Sequence, residues 1–456
     1  MTDAVPTTHA RPYRAGLSPA PGLAWGRVCL TGAVIDGILN GGIIALPLAG
    51  FHVMGYRLLL PICVLILGVG VAATGRLPGG RELRVRGFLA FLGAWVGLAV
   101  VSLCWVVNTF DALRQIYFML EGVTLIVLLV VWIVSDRWLE RIGRAWLFTL
   151  LVTAVVGVWE ATTGKHLPGS GMLGLDDVYV ESMGRMPSAT FGNPNNFAFY
   201  LALTIPMALA WWRYRVDGWK AAALGTVVGA ALFVMVATRG RLGIVAGMAG
   251  IACWFLLPRL TRAARPRKRH WKMLLLSSAV AIPFFFTGTA AKAWDRMVDL
   301  RTSLTTERAD DPRRQLQLEV IDVLRRTKGL GVGAGNIETY LAEYPYSQDS
   351  GITNPHGWWV EIAGNYGVLT FVGYTLFYLL LVRGLWRAYR RQARRGADRT
   401  LLEGALLGLI VFPVVSFGPS SLAGVVFHWF FLGYCLAVLN NHRVRHRTIP
   451  DPVHQP

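Results

Sequence analysis

Asn354-Pro355-His356-Gly357-Trp358-Trp359-Val360-Glu361-Ile362 stands where a long polar stretch, about 291–355, gives way to an apolar run that continues to Val382. Between Gly357 and Val382 the only formally charged side chain is Glu361. A run of that length crosses a bilayer as a helix, because about 20 apolar residues span the hydrocarbon core and a helix satisfies its own backbone polar groups there. The titratable imidazole at the mouth of this span marks the junction as a place for chemistry at a membrane surface.

Outward from this junction the same pattern recurs. The chain has 456 residues, 54% hydrophobic and 16% charged, with mean hydropathy +0.46. An ordinary soluble domain carries about 25% charged residues. Apolar runs fall at 28–49, 56–74, 87–107, 112–135, 144–159, 195–212, 219–237, 242–257, 272–290, 356–382, 400–417 and 420–440. None alternates as the strands of a membrane barrel do. The reading is an all-α polytopic membrane protein of about twelve transmembrane helices, with its largest loop between the ninth and tenth. The expected divisions are a polar, Pro-rich tail at 1–24, helices one to nine at 25–290, an extracytoplasmic loop at 291–355, helices ten to twelve at 356–441 and a tail at 442–456. The first 24 residues lack the pattern of a cleavable signal peptide and read as disordered.

A net charge of +19 raises nucleic acid as a partner, and its placement rejects it. Basic residues gather in alternate loops: Arg76, Arg81, Arg84 and Arg86; Arg213, Arg215 and Lys220; seven between Arg259 and Lys272; seven between Arg383 and Arg399; and Arg443, Arg445 and Arg447. Twelve spans put all of these and both termini on one side, the cytoplasm, in a multi-pass protein of the cytoplasmic membrane. Most of this charge sets topology and meets anionic membrane lipids. Cys29, Cys63, Cys104, Cys253 and Cys435 lie in apolar runs without metal-ligand spacing, so neither a disulfide framework nor a zinc site is expected. Asp36 and Asn40 in the first run imply that it faces protein or a cavity and not lipid.

Two outward segments remain. Residues 160–194 read as an irregular loop. In the larger one, Pro312 to Lys328 has helical character, with Leu316, Val320, Val323 and Leu324 on one face, fit to lie on the outer membrane boundary. Gly329-Leu330-Gly331-Val332-Gly333-Ala334-Gly335-Asn336 then reads as a tight turn whose exposed N–H groups suit a phosphate; it lacks the strand and the Lys-Ser/Thr of a nucleotide loop. Asp176-Asp177 and Asp310-Asp311 read as solvated pairs, so no metal and no cofactor is expected.

Thr238-Arg239-Gly240-Arg241-Leu242-Gly243 joins two spans on the outer side, against the positive-inside bias. One reading is an interfacial anchor. The other is recognition of a pyrophosphate, for which guanidinium offers forked donors. Arg313 and Arg314 suit the same purpose from the large loop.

Taken in order, Thr190-Phe191-Gly192-Asn193-Pro194-Asn195-Asn196-Phe197 opening a span, Arg239 in a span-linking turn, a large outer loop with arginines followed by Gly-x-Gly-x-Gly, and Asn354-Pro355-His356 resemble the O-antigen ligase and polymerase superfamily of bacterial envelope glycosyltransferases. The resemblance covers roughly 185–440. Gly357 stands where that family commonly has Asn. The continuation Trp358-Trp359-Val360-Glu361 with Asn365-Tyr366-Gly367 is closer to the teichuronic acid branch than to lipopolysaccharide ligases.

The resemblance implies a GT-C-like helical fold and transfer of a glycan from a polyprenyl diphosphate carrier to a hydroxyl of a glycan, cell-wall or lipid acceptor. Spans, outward arginines and a polar outer loop match that donor's apolar tail, pyrophosphate and glycan in order. His356 is the expected general base; Arg239, Arg241, Arg313 and Arg314 are the expected pyrophosphate ligands, acting electrostatically in place of a metal. His52 and His428 are lesser candidates, Glu361 reads as structural, and Trp358, Trp359 and Tyr366 read as an interfacial belt. A polymerase joining lipid-linked repeat units shares the donor site. A flippase or transporter would call for an inverted repeat or paired broken helices, and the sequence displays neither.

Overall fold

A computed structural model describes residues 21–39, 45–48, 51–75, 83–133, 135–167, 186–260, 312–344, 353–392, 397–419 and 421–448. In chain order these form α1 (Pro21–Ile38), a two-stranded antiparallel hairpin of β1 (Ala45–Leu48) and β2 (Phe51–Met54), α2 (Gly55–Thr74), α3 (Arg86–Val101), α4 (Thr109–Trp132) and α5 (Asp136–Thr163). There follow α6 (Pro194–Tyr214), α7 (Gly218–Ala237), α8 (Arg241–Leu260), α9 (Pro312–Arg326), α10 (Ile337–Glu343), α11 (Trp358–Arg391), α12 (Ala397–Val415) and α13 (Val426–Thr448).

Among the described residues seven helices are long and apolar enough to cross a membrane: α2, α3 extended to Cys104, α4, α5, α7, α8 and α11. The all-helical membrane class holds; a count of twelve does not emerge from these residues. The run at 144–159, short for a span, proves to be the middle of the 28-residue α5. The run at 28–49 is not one helix: α1 ends at Ile38 and the chain resumes as the β1–β2 hairpin. The run at 272–290, the 291–311 segment and both extreme termini lie outside the described residues.

Local chemistry explains the boundaries. Asn108 caps α4 by accepting from the N–H groups of Phe110 and Asp111 at 2.9 and 3.3 Å. Asn193 caps α6, its Oδ1 accepting from Asn195 N, with Pro194 in the first turn. Asp36, buried as expected for a residue facing protein, accepts from Tyr56 N at 2.6 Å and so holds the start of α2.

The centre of the bundle is α6, buried at every residue from Phe197 to Arg213, packed against α8 and α12. Contacts between elements sort the turns onto two ends. One end joins the start of α4 to the loop before α10, the Ser416 turn to the start of α11, and the turn before α8 to the start of α6. The opposite end joins Arg84 to Asn440, Asp136 to Asn441 and Arg445, and Arg213 to Glu403.

Candidate active site at one end of the bundle

Among the described residues four that are not glycine have left-handed backbone: Ala189 (φ 47°), Arg239 (56°), Lys328 (51°) and His356 (44°). A side chain there costs about 1–2 kcal/mol, and such strain concentrates where geometry serves function. Ala189 precedes the Thr190–Phe197 motif, Lys328 precedes the Gly-rich turn, and Arg239 and His356 are the residues the sequence singled out.

The Arg239 turn sits on the start of α6. A Cβ on Gly240 would lie 2.7 Å from Ala198 Cβ and 3.7 Å from Asn195 Oδ1, so the Arg turn and the Asn193-Pro194-Asn195 motif form one surface. Thr238 Oγ1 accepts from Gly240 N at 3.3 Å and donates to Met235 O at 2.7 Å, fixing the bend. Arg239 and Arg241 are both exposed, Arg241 as the first residue of α8. Glu160, fully buried at the end of α5, accepts from Ser188 N and Ala189 N at 2.8 and 2.7 Å and lies 3.5 Å from His166 Nδ1. It holds the strained chain that leads into the motif. Sequence reasoning passed over it; its signal was an acid in the last turn of an apolar run.

His356 is half-buried, and its N–H donates to Asn354 Oδ1 at 2.8 Å. Asn354 Nδ2 donates in turn to Glu338 Oε1. Burial raises the Glu338 carboxyl above the usual range and Asp111 adds to this, while Arg114 and the Asn354 bond oppose it. Gly357 follows with φ 110°, and a Cβ there would meet Phe417 Cδ1 at 2.8 Å. That close approach is a physical reason for glycine where the resemblance leads one to expect Asn. Ser416 then receives both Trp358 N on its carbonyl and Trp359 Nε1 on its hydroxyl, each at 3.0 Å, which sets where α11 begins.

The Gly-rich turn corrects an expectation. Its N–H groups are engaged within the protein: Val332 N donates to Gly364 O, Gly333 N to Asn365 O, Gly331 N to Thr327 Oγ1, Ala334 N to Ser102 Oγ and Ile337 N to Asn365 Oδ1. These groups are therefore committed and not open to a phosphate. What the glycines permit is contact: a Cβ on Gly331 would fall 2.6 Å from Gly367 N, where α11 breaks at φ 79°. Asn336, fully buried, locks the turn onto α4 by accepting from Asn108 N and donating to Asn108 O.

The apolar face of α9 assigned from sequence to the membrane boundary packs on protein instead. Leu316, Val320 and Val323 pack with Val332, Ile337 and Leu341 in a small separate core, and α9 rests on α11. Arg313 and Arg314 fall in its first turn; their side chains lie outside the described residues.

The aromatic belt is also overturned. Trp358 is buried, donates from Nε1 to Tyr374 at 2.9 Å and packs on Trp95, Trp429 and His428; Tyr366 is buried against Met119. Neighbouring helices cover these rings, so they form core and not interface. His428, fully buried with Nδ1 3.1 Å from Val425 O, belongs to the same layer and is removed from solvent chemistry. His52 falls in β2, its side chain outside the described residues. This layer links the two turns: Phe191 of the α6 motif meets Phe427 at 5.4 Å, and His428 meets Trp358 at 5.1 Å.

Comparison with known proteins now adds identity to geometry. Residues 225–375 match the O-antigen ligase family, a span holding Arg239, Arg241, the Gly-rich turn and His356. The chain is 27% identical over 429 residues, 91% of its own length and 84% of the relative's, to the teichuronic acid biosynthesis protein TuaE of Bacillus subtilis (strain 168). The resemblance carried by the motifs is therefore borne out: this is a membrane protein whose residues 225–375 match the O-antigen ligase family and which bears a nearly full-length likeness to a teichuronic acid biosynthesis protein.

Proposed function

We propose that this protein transfers a glycan from a polyprenyl diphosphate carrier to an acceptor hydroxyl at the outer face of the cytoplasmic membrane, in envelope polysaccharide assembly. The observation that carries the reading is the strained backbone at Arg239 and His356, on turns at the same end of the bundle and inside the family match. His356 takes the proton of the acceptor hydroxyl as its oxygen bonds to the anomeric carbon. The bond from that carbon to the diphosphate oxygen breaks, and the polyprenyl diphosphate leaves. Arg239 and Arg241, joined by Arg313 and Arg314 from α9, stabilise the charge that develops on the leaving group, without a metal. The Glu338–Asn354 pair holds the strained chain that presents His356.

The test uses purified protein in proteoliposomes with a polyprenyl-diphosphate-linked glycan, a hydroxyl acceptor and a chelator. Release of polyprenyl diphosphate with a single glycan added to the acceptor is the expected product. A ladder of repeat units identifies a polymerase instead. Movement of intact donor across the bilayer without cleavage refutes transfer altogether. Sidedness has its own test in a background freed of native cysteines: Thr305→Cys is labelled by an impermeant reagent in intact cells and Arg265→Cys is not. The reverse pattern contradicts an outward site.

A further inference from the structure

At the end of the bundle opposite His356, a cavity of about 330 Å³ opens between the last turns of α11 and α13 and the start of α3. Arg383, Arg387, Arg391 and Arg443 line it, with Phe88 and Leu439 as apolar walls, and among the described residues no acidic side chain lines it. The first three arginines are exposed and follow i, i+4, i+8 spacing, so they form one stripe of α11. Arg443 is held at the back, donating from Nη1 to Arg84 O at 2.9 Å and lying 6.0 Å from the Phe88 ring.

Nearby cations are treated differently. Arg445, two residues on from Arg443, is ion-paired with both Asp136 and Asp398. Among the described residues Arg383, Arg387 and Arg391 make no ion pair with a carboxylate. Four guanidinium groups facing one cavity, with no counter-charge among the described residues, repel one another and favour an anion.

The same face of α11 identifies the anion's source. Leu369, Val372, Leu376, Leu379 and Leu380 are exposed on the helix turns preceding Arg383, at the same angular positions as the arginines. A single stripe thus passes from bare apolar side chains within a candidate membrane span to forked cations at its end. Acyl chains fit the first part and a headgroup phosphate the second.

We infer that this cavity is a binding site for one anionic phospholipid, its phosphate between Arg383, Arg387, Arg391 and Arg443 and an acyl chain along Leu376, Leu379 and Leu380. The site is separate from the proposed glycan-transfer site, and neither depends on the other.

The test is lipid binding by native mass spectrometry, with full-length protein in a neutral detergent titrated with phosphatidylglycerol, phosphatidylcholine or inorganic phosphate. Phosphatidylglycerol is expected to bind in preference to phosphatidylcholine, and phosphate alone not to compete at matched concentration. Each arginine is worth about fivefold, so R383Q/R387Q/R391Q weakens phosphatidylglycerol binding about a hundredfold. R387Q alone, at an exposed position that leaves the fold intact, weakens it about fivefold. Equal binding of both lipids, phosphate that displaces phosphatidylglycerol as well as the lipid itself does, or an R387Q protein with unchanged binding each overturns the inference.

Discussion

Two regions of the bundle, the Arg213 cluster and the Arg239 turn, use arginine in opposite ways. At the end away from His356, Arg213 is buried, donates to Glu403 Oε1 at 2.6 Å and lies 4.3 Å from the Trp254 ring. Glu403 Oε2 also accepts from Tyr214 and Tyr389, each at 2.7 Å, so α6, α11 and α12 meet on one carboxylate. All of these contacts are made within the protein. At the other end Arg239 is exposed on a backbone that disfavours any side chain, and Arg241 is exposed beside it. The contrast teaches that position in a basic loop says little about role. A guanidinium clamped by carboxylate and ring maintains the bundle, whereas Arg239 and Arg241 stand exposed at a strained turn.

The comparison breaks first at His356. His356→Ala keeps the Cβ and the strain, so thermal melting should be unchanged while transfer falls about 10²–10⁴-fold. Equal transfer by the variant at equal protein level removes the base from this end. Next comes the clamped end: Arg213→Ala leaves a buried carboxylate without its cation, a loss of about 3–5 kcal/mol in stability. Reduced yield and a lowered melting temperature are expected, and a variant that melts like the parent dissolves the contrast. The smallest effect has the opposite sign. Arg239→Gly and His356→Gly relieve left-handed strain and should each stabilise the fold by about 0.5–1 kcal/mol while losing transfer. Glycine variants less stable than the parent would show that these side chains serve packing.

The membrane class and the motif turns were legible in the sequence because both rest on local chemistry. Long uncharged runs declare spans, and Asn193-Pro194 or Asn354-Pro355-His356 declares a helix start. What stayed hidden depends on partners far along the chain. Trp358 and Tyr366 look like belt residues until Trp95, Met119 and Trp429 are brought against them. The N–H groups of Val332 and Gly333 look open until the break at Gly367 presents the carbonyls of Gly364 and Asn365. Arg213 counted as a topology signal because Glu403 lies 190 residues away. The roles of Glu160 and Glu338 were missed for the same reason: each acts through backbone or amide groups of a distant turn.

The central claim is that Arg239 grips a diphosphate and not merely the membrane interface. It is tested most directly by measuring transfer by Arg239→Lys and Arg241→Lys proteins in proteoliposomes, with saturating lipid-linked donor and a chelator present. Lysine keeps the charge and snorkels equally well, but it loses the fork that two phosphate oxygens require. The account predicts an Arg239→Lys protein impaired by about 10²-fold or more, with Arg241→Lys much nearer to the parent. A fully active Arg239→Lys protein, or transfer by the parent that disappears with the chelator, contradicts it.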